Sequence, residues 1–158
     1  MPFLSDRVAE LKTWDDIKLL TVLVDRLKQW YAPGLLCIGD AAHAMSPIGG
    51  VGINLAVQDA VAAANLLYRP LRDGRVSLDD LAAVQKRRLF PTRMTQNAQV
   101  AIQKNVMVPV LGLNRSASIS LPFPVRMLQR YPVLRRIPAR LVGIGVRPEH
   151  VRTPNAYR

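Results

Sequence analysis

Residues 35–68 constrain the fold more than any other part of the chain. Leu35-Leu36-Cys37-Ile38 is a four-residue apolar run, preceded by a turn at Tyr31-Ala32-Pro33-Gly34 and stopped by Gly39. Proline presets φ and glycine accepts positive φ, so the run reads as a short, buried strand entered through a tight turn. A loop with Pro47, Gly49, Gly50 and Gly52 follows. From Ile53 to Tyr68 the period changes: Ile53, Val57, Ala60, Val61, Ala64 and Leu67 recur at helical spacing. A buried strand emptying through a glycine-rich loop into a helix is the unit of an α/β layer.

The chemistry of that loop can be read residue by residue. Asp40 stands at the carboxyl end of the strand, where open α/β sheets bind their ligands. Its carboxylate is an acceptor for hydroxyl groups, such as those of a sugar or polyol. Gly49, Gly50 and Gly52 let backbone approach a flat or anionic ligand, because no Cβ intervenes. The amides of Gly52, Ile53 and Asn54 lie at the expected helix start, where unsatisfied donors and the macrodipole favour negative charge.

Elsewhere the signals are plainer. The β-branched content and partial alternation of Ile17 to Leu27 predict a strand after the Trp14-Asp15-Asp16 turn. Pro70 and Asp73-Gly74 mark the end of the first helix. Ser77 is a plausible N-cap for a second helix, which runs to Phe90, breaks at Pro91 and resumes to about Val106. The proline-rich tail leaves room for short helices at Val125–Arg130 and Ala139–Gly143. Cys37 reads as inert packing in the strand, His43 as a structural loop residue, and Asp59 as a cap or interhelical partner. Lys86-Arg87-Arg88 reads as a solvated helix face.

Charge is unevenly placed. Residues 1–80 hold eight Lys/Arg against ten Asp/Glu, whereas 81–158 hold fourteen against Glu149 alone. The asymmetry raises an anionic partner. Residues 125–147 interleave Leu, Ile and Val with arginines, which fits a membrane-surface amphipath better than a nucleic-acid binder. With 49% hydrophobic residues the chain can build a core, and its single cysteine excludes an intramolecular disulfide framework. No secretory pattern opens the sequence and no apolar run reaches about 18 residues, so a cytoplasmic protein is expected.

Gly39-Asp40-Ala41-Ala42-His43, Pro47, Gly49, Gly52, Asn54 and Asp59-Ala60 stand in the order of a known flavin motif. On these residues the chain resembles the C-terminal part of flavin-dependent monooxygenases of the para-hydroxybenzoate hydroxylase type. The resemblance implies that FAD is the cofactor and that Asp40 bonds its ribityl hydroxyls. It implies that Gly39 and Ala41 flank that contact. Pro47, Gly49, Gly50, Val51 and Gly52 would then pass beside the isoalloxazine ring, with the amides of Ile53 and Asn54 at its N1/O2 edge. In such enzymes NADH or NADPH reduces FAD, and oxygen is then used to hydroxylate a small aromatic or lipophilic substrate. No metal and no acid–base side chain is implied.

Members of that family begin with a Gly-x-Gly-x-x-Gly fingerprint that this sequence lacks. The chain is therefore expected to be a partial, helix-rich α/β flavin-binding (Rossmann-like) three-layer domain without its N-terminal half, inactive alone. Residues 1–34 would end a substrate-domain sheet, 35–112 would form the C-terminal part of the FAD-binding domain, and 113–158 a basic helical tail. A related reductase or halogenase, or a non-enzymatic basic module binding an anionic membrane or nucleic acid, are the alternatives.

Overall fold

Two long helices organise the structure, a computed structural model that describes residues 10, 12–18, 23–107 and 123–154. Helix α1 spans Val51–Arg72 and α2 spans Leu78–Ile102. Val51, Leu55, Asp59, Ala62 and Leu67 form the buried face of α1, with spacings that keep them on one side. Leu67, Leu81 and Val84 make the apolar core between the helices, joined by Tyr31, Leu36, Ala63 and Leu66. A fully buried Leu or Val contributes about 1.5–3 kcal/mol.

Both helices run through the prolines expected to break them. Pro70 lies in the last turns of α1, where the lost donor deprives only one carbonyl near the frayed end. Helix α1 ends at Asp73, whose amide donates to the Arg69 carbonyl, and Gly74 turns the chain at φ +67°. Helix α2 starts from a reciprocal capping box between Ser77 and Asp80. At Pro91, which is buried, Thr92 Oγ1 donates to the Arg88 carbonyl and Thr95 Oγ1 to the Pro91 carbonyl, each at 2.9 Å. Those hydroxyls occupy carbonyls around the proline, and α2 continues into a π turn at Gln103–Met107. By length and mean hydropathy, the stretch Ile48–Arg72 would reach across a bilayer, contrary to the sequence reading. One side of it packs on α2 and buries the charged Asp59, while Ile53 and Val57 on the other side are exposed.

The strands are short and antiparallel. β1 (Asp25–Arg26) pairs with β4 (His43–Ala44), Arg26 opposite His43. β2 (Tyr31–Ala32) and β3 (Leu35–Leu36) form a hairpin over Pro33-Gly34, with Gly34 at φ +73° as the turn requires. Two expectations are corrected here. The strand expected over 17–27 is reduced to Asp25–Arg26, with residues 19–22 outside the described set. The strand expected to be buried over 35–38 is Leu35–Leu36 only; Leu35 is 56% exposed and Cys37 half-buried. Among the described residues β3 pairs along one edge, so one side of it has no cover.

Glutamines of α2 hold these strands. Gln85 accepts from the Trp30 amide and donates to the Lys28 carbonyl, at 3.0 and 2.9 Å. Gln96 Nε2 donates to the Asp25 and Ala44 carbonyls, at 2.8 and 3.1 Å. Gln99 Nε2 donates to the Ser46 and Ile48 carbonyls, at 2.7 and 2.9 Å. Amide side chains thus satisfy backbone groups that strands this short leave unpaired.

Phe123–Arg130 and Arg136–Gly143 form the tail helices, joined by a 3₁₀ turn at Pro132–Arg135. The residues after them lie along α1. Gln58 Nε2 donates to the Ile144 carbonyl at 2.9 Å, and Asn65 Nδ2 to the His150 carbonyl at 2.8 Å. Asn65 Oδ1 also accepts from the Arg152 amide at 2.8 Å.

Candidate functional site

The loop between β3 and α1 is built around a close approach of backbone to helix. Gly39, buried at φ +57°, opens a 3₁₀ turn over Gly39–Ala41, and a Cβ there would stand 2.9 Å from Ala56 Cβ. Only glycine meets both demands. Asp40 and Ala41 follow on the exposed side of that turn. The Asp40 carboxylate has no hydrogen-bond or ion-pair partner among the described residues. Pro47 enters a second 3₁₀ turn at Ile48–Gly50, where Gly49 and Gly50 take φ +80° and +61°. Gly50 is the left-handed N-cap of α1, and no side chain caps the helix.

The early start of α1 moves its anion-stabilising amides. A helix beginning at Val51 leaves the N–H groups of Val51, Gly52 and Ile53 without intrahelical carbonyls. The Asn54 N–H is the first that reaches back, to Gly50, so its amide is spent inside the helix. The Asn54 side chain turns towards the tail instead, donating to the Val142 and Gly143 carbonyls at 3.3 and 3.4 Å. Gly52 packs its backbone against Met45.

Behind the loop lies a buried polar cluster. Asp59 Oδ2 accepts from the Gly39 amide at 3.1 Å and lies 2.6 Å from His43 Nε2. Asp59 Oδ1 accepts from Arg88 Nε at 2.7 Å, and all three side chains are fully buried. Burial pushes the Asp59 carboxyl up, but the bonds from His43, Arg88 and the Gly39 amide outweigh it and hold the group below its ordinary range. His43 packs on the Trp30 ring, centroids 5.2 Å apart, and its Nδ1 has no partner among the described residues. Outside the cluster, Glu149 accepts from Arg87 Nε and Nη2 at 2.7 and 2.8 Å, and sits 3.7 Å from Arg88.

Lys86-Arg87-Arg88 is therefore not a solvated face. Lys86 is exposed, but Arg87 is partly buried against Glu149 and Arg88 is fully buried. Asp59 is the interhelical partner, as expected. Gln96, Gln99 and Glu149 went unrecognised in the sequence. The lone acid among fourteen basic residues was the available signal for Glu149.

The donors and acceptors fit one end of a flavin dinucleotide. An unengaged carboxylate stands where a polyol chain could lie. Two left-handed glycines carry no Cβ toward a planar ring, and an uncapped helix end offers N–H groups to an electron-rich edge.

Comparison with known proteins decides the assignment: the profile described as FAD binding domain matches residues 5–98. The chain belongs to the FAD-binding domain family. Within that family, it is 37% identical over 142 residues to 6-methylpretetramide 4-monooxygenase of Streptomyces rimosus, covering 89% of this chain and 33% of that protein. It is 31% identical to the FAD-dependent monooxygenase idtM of Claviceps paspali, covering 91% of this chain and 29% of that protein. A solved structure of PqsL, a probable FAD-dependent monooxygenase from Pseudomonas aeruginosa, superposes with a TM-score of 0.51 at 28% identity. The superposition covers 65% of this chain and 28% of PqsL, which has also been solved with 2-aminobenzoylacetate bound. The chain thus spans about a third of the length of the curated relatives it matches. The partial α/β flavin-binding fold expected from the sequence is borne out by the family and by this superposition.

Proposed function

We propose that this chain supplies the ribityl and ring-edge side of the FAD site of a monooxygenase. Asp40 accepts from the ribityl hydroxyls, with Gly39 and Ala41 shaping its turn. Pro47, Gly49 and Gly50 flank the ring, and the amides of Val51, Gly52 and Ile53 face its electron-rich edge. When bound, FAD supplies the redox chemistry, drawing electrons from NADH or NADPH and passing them to oxygen. The chain's own residues bind and orient, and none acts as an acid or base. The substrate is a small aromatic or lipophilic molecule, supported by the aromatic ligand of PqsL. One observation carries the reading: an exposed Asp40 with no partner among the described residues, on a turn that packs against α1, a helix of 22 residues whose start no side chain caps. The experiment is a titration of flavin against the chain at high protein concentration, followed by fluorescence. Asp40→Ala should weaken binding by about tenfold or more, as loss of a charged hydrogen bond does. Equal affinity in both proteins overturns the assignment.

A second reading concerns the tail. Val133, Ile137 and Leu141 are exposed at four-residue intervals, beside Arg136 and Arg140. This stripe supports contact with an anionic membrane surface. Co-sedimentation with anionic vesicles at low salt, abolished by salt, is the expected result; no co-sedimentation returns the arginines to a solvated role.

A further inference from the structure

A cavity of about 530 Å³ lies between β1 and one face of α2, on residues that the flavin reading does not use. Its charged lining is Arg26, Lys28 and Arg93 against a single acid, Asp25. The carboxylate of Asp25 already accepts from the Arg26 amide at 2.7 Å. The cavity is therefore cationic, and its main cation is held in place. Arg26 is half-buried, and its Nη1 donates to Gln96 Oε1 at 2.8 Å. Gln96 is itself only 2% exposed and fixed through Nε2 to the Asp25 and Ala44 carbonyls. The remaining guanidinium N–H groups have no partner among the described residues. An oriented guanidinium with unspent donors is the group that recognises carboxylate and phosphate oxygens in pairs. Arg93 lies one turn from Gln96 on the same face of α2, and Leu27 and Leu89 give the cavity an apolar flank.

We propose that this cavity binds a small organic oxyanion, a carboxylate or phosphate monoester carrying an apolar body, anchored by Arg26. Its volume falls within the range of small-molecule sites, roughly 300–1,000 Å³. The apolar flank adds to the affinity of a ligand with an aromatic or aliphatic body, and inorganic phosphate lacks that body. Lys28 and Arg93 are exposed and supply attraction; Arg26 supplies geometry. No residue of the Gly39–Asn54 loop lines the cavity, so this inference stands apart from the flavin reading.

Calorimetric titration of the full chain with benzoate, phenyl phosphate, inorganic phosphate and neutral benzyl alcohol tests it. At least one of benzoate and phenyl phosphate should bind saturably, and more tightly than inorganic phosphate or benzyl alcohol. Which of the two is tighter tells carboxylate from phosphate. Arg26→Gln should weaken that binding about tenfold. Arg93→Gln, at an exposed position whose side chain makes no hydrogen bond or ion pair among the described residues, should weaken it by a few-fold; it serves where the first variant disturbs β1. Arg69→Gln, on α1 over the Tyr68 ring, should leave it unchanged. The proposal is overturned by no saturable binding of either organic anion, by inorganic phosphate binding as tightly as both, or by Arg26→Gln and Arg93→Gln both binding like wild type.

Discussion

Asp59 of α1 and Arg88 of α2 meet as a fully buried ion pair, Oδ1 to Nε at 2.7 Å, across 29 residues of sequence. The second oxygen of the same carboxylate holds the Gly39 amide and His43. One side chain therefore ties the helix pair to the turn that carries Asp40. A buried pair of this kind need not stabilise more than a well-packed apolar substitute, but removing one partner leaves the other uncompensated.

Asp59→Asn should accordingly destabilise the fold by about 3–5 kcal/mol, read from urea denaturation at neutral pH. The pH dependence has a definite sign. Asp59 titrates below its ordinary value in the folded state, so its contribution is complete above the unfolded value near about 3.9. It is lost as pH falls through the lowered folded value. Wild type should lose stability steeply below about pH 4, and the Asn variant less so. Parallel acid limbs in the two proteins would remove Asp59 from the cause.

Gly39→Ala should cost about 1–3 kcal/mol, from a left-handed φ and from the 2.9 Å approach to Ala56 Cβ. Adding Ala56→Gly relieves the contact but not the dihedral, so the double variant should recover part of the loss. Full recovery in thermal melts would assign the whole penalty to the contact.

What the sequence revealed follows from which residues announce their own environment. The turn at Gly39 and the 47–50 loop did so, because left-handed glycines have few other uses; Asp40, expected at a strand end, sits instead in the 3₁₀ turn four residues past Leu36. The period of Ile53, Val57, Ala60, Val61, Ala64 and Leu67 announced a helix but not its buried side. Ile53, Val57, Ala60 and Ala64 are exposed, and of that set only Leu67 lies on the buried face with Val51, Leu55, Asp59 and Ala62. Helix α2 did not announce its buried side either. Below Leu81 and Val84 its buried face continues as Arg88, Thr92, Gln96 and Gln99, so no apolar stripe marks it. Those polar groups are buried because their partners are Asp59 and the backbone of short strands, and neither appears in a hydropathy pattern. Asp73-Gly74 and Ser77 bound the two helices as read, whereas the break expected at Pro91 is absent. Pro91 withdraws one donor, the one that the Arg87 carbonyl would have used, and the helical bonds on either side of it carry the helix through.

Glu149→Gln should loosen the C-terminal strip while leaving the helix pair intact. The Glu149 side chain is nearly fully buried; burial raises its pKa, and the Arg87 hydrogen bonds outweigh that and hold it below the ordinary range. Without the charge, Arg87 loses a bidentate partner. Hydrogen exchange at residues 145–152 should accelerate about tenfold, with the α1 and α2 amides unchanged. Uniform acceleration across both helices would show that the strip is part of the global fold instead.

The last prediction separates the two ends of the dinucleotide. The residues proposed to touch FAD all lie between Gly39 and Ile53, and they face the ring and its ribityl chain. The sequence has no Gly-x-Gly-x-x-Gly turn to seat a pyrophosphate on a helix N-terminus. Within these 158 residues, then, the adenylate half of FAD should add little affinity. FAD and FMN should quench with dissociation constants within a few-fold of each other. Both should bind weakly, and both should respond to Asp40→Ala. NADH should not be consumed when flavin and oxygen are supplied to the chain alone. Tight, stoichiometric binding of FAD over FMN would mean that other residues of this chain hold the adenylate, and the half-site assignment would fall with it.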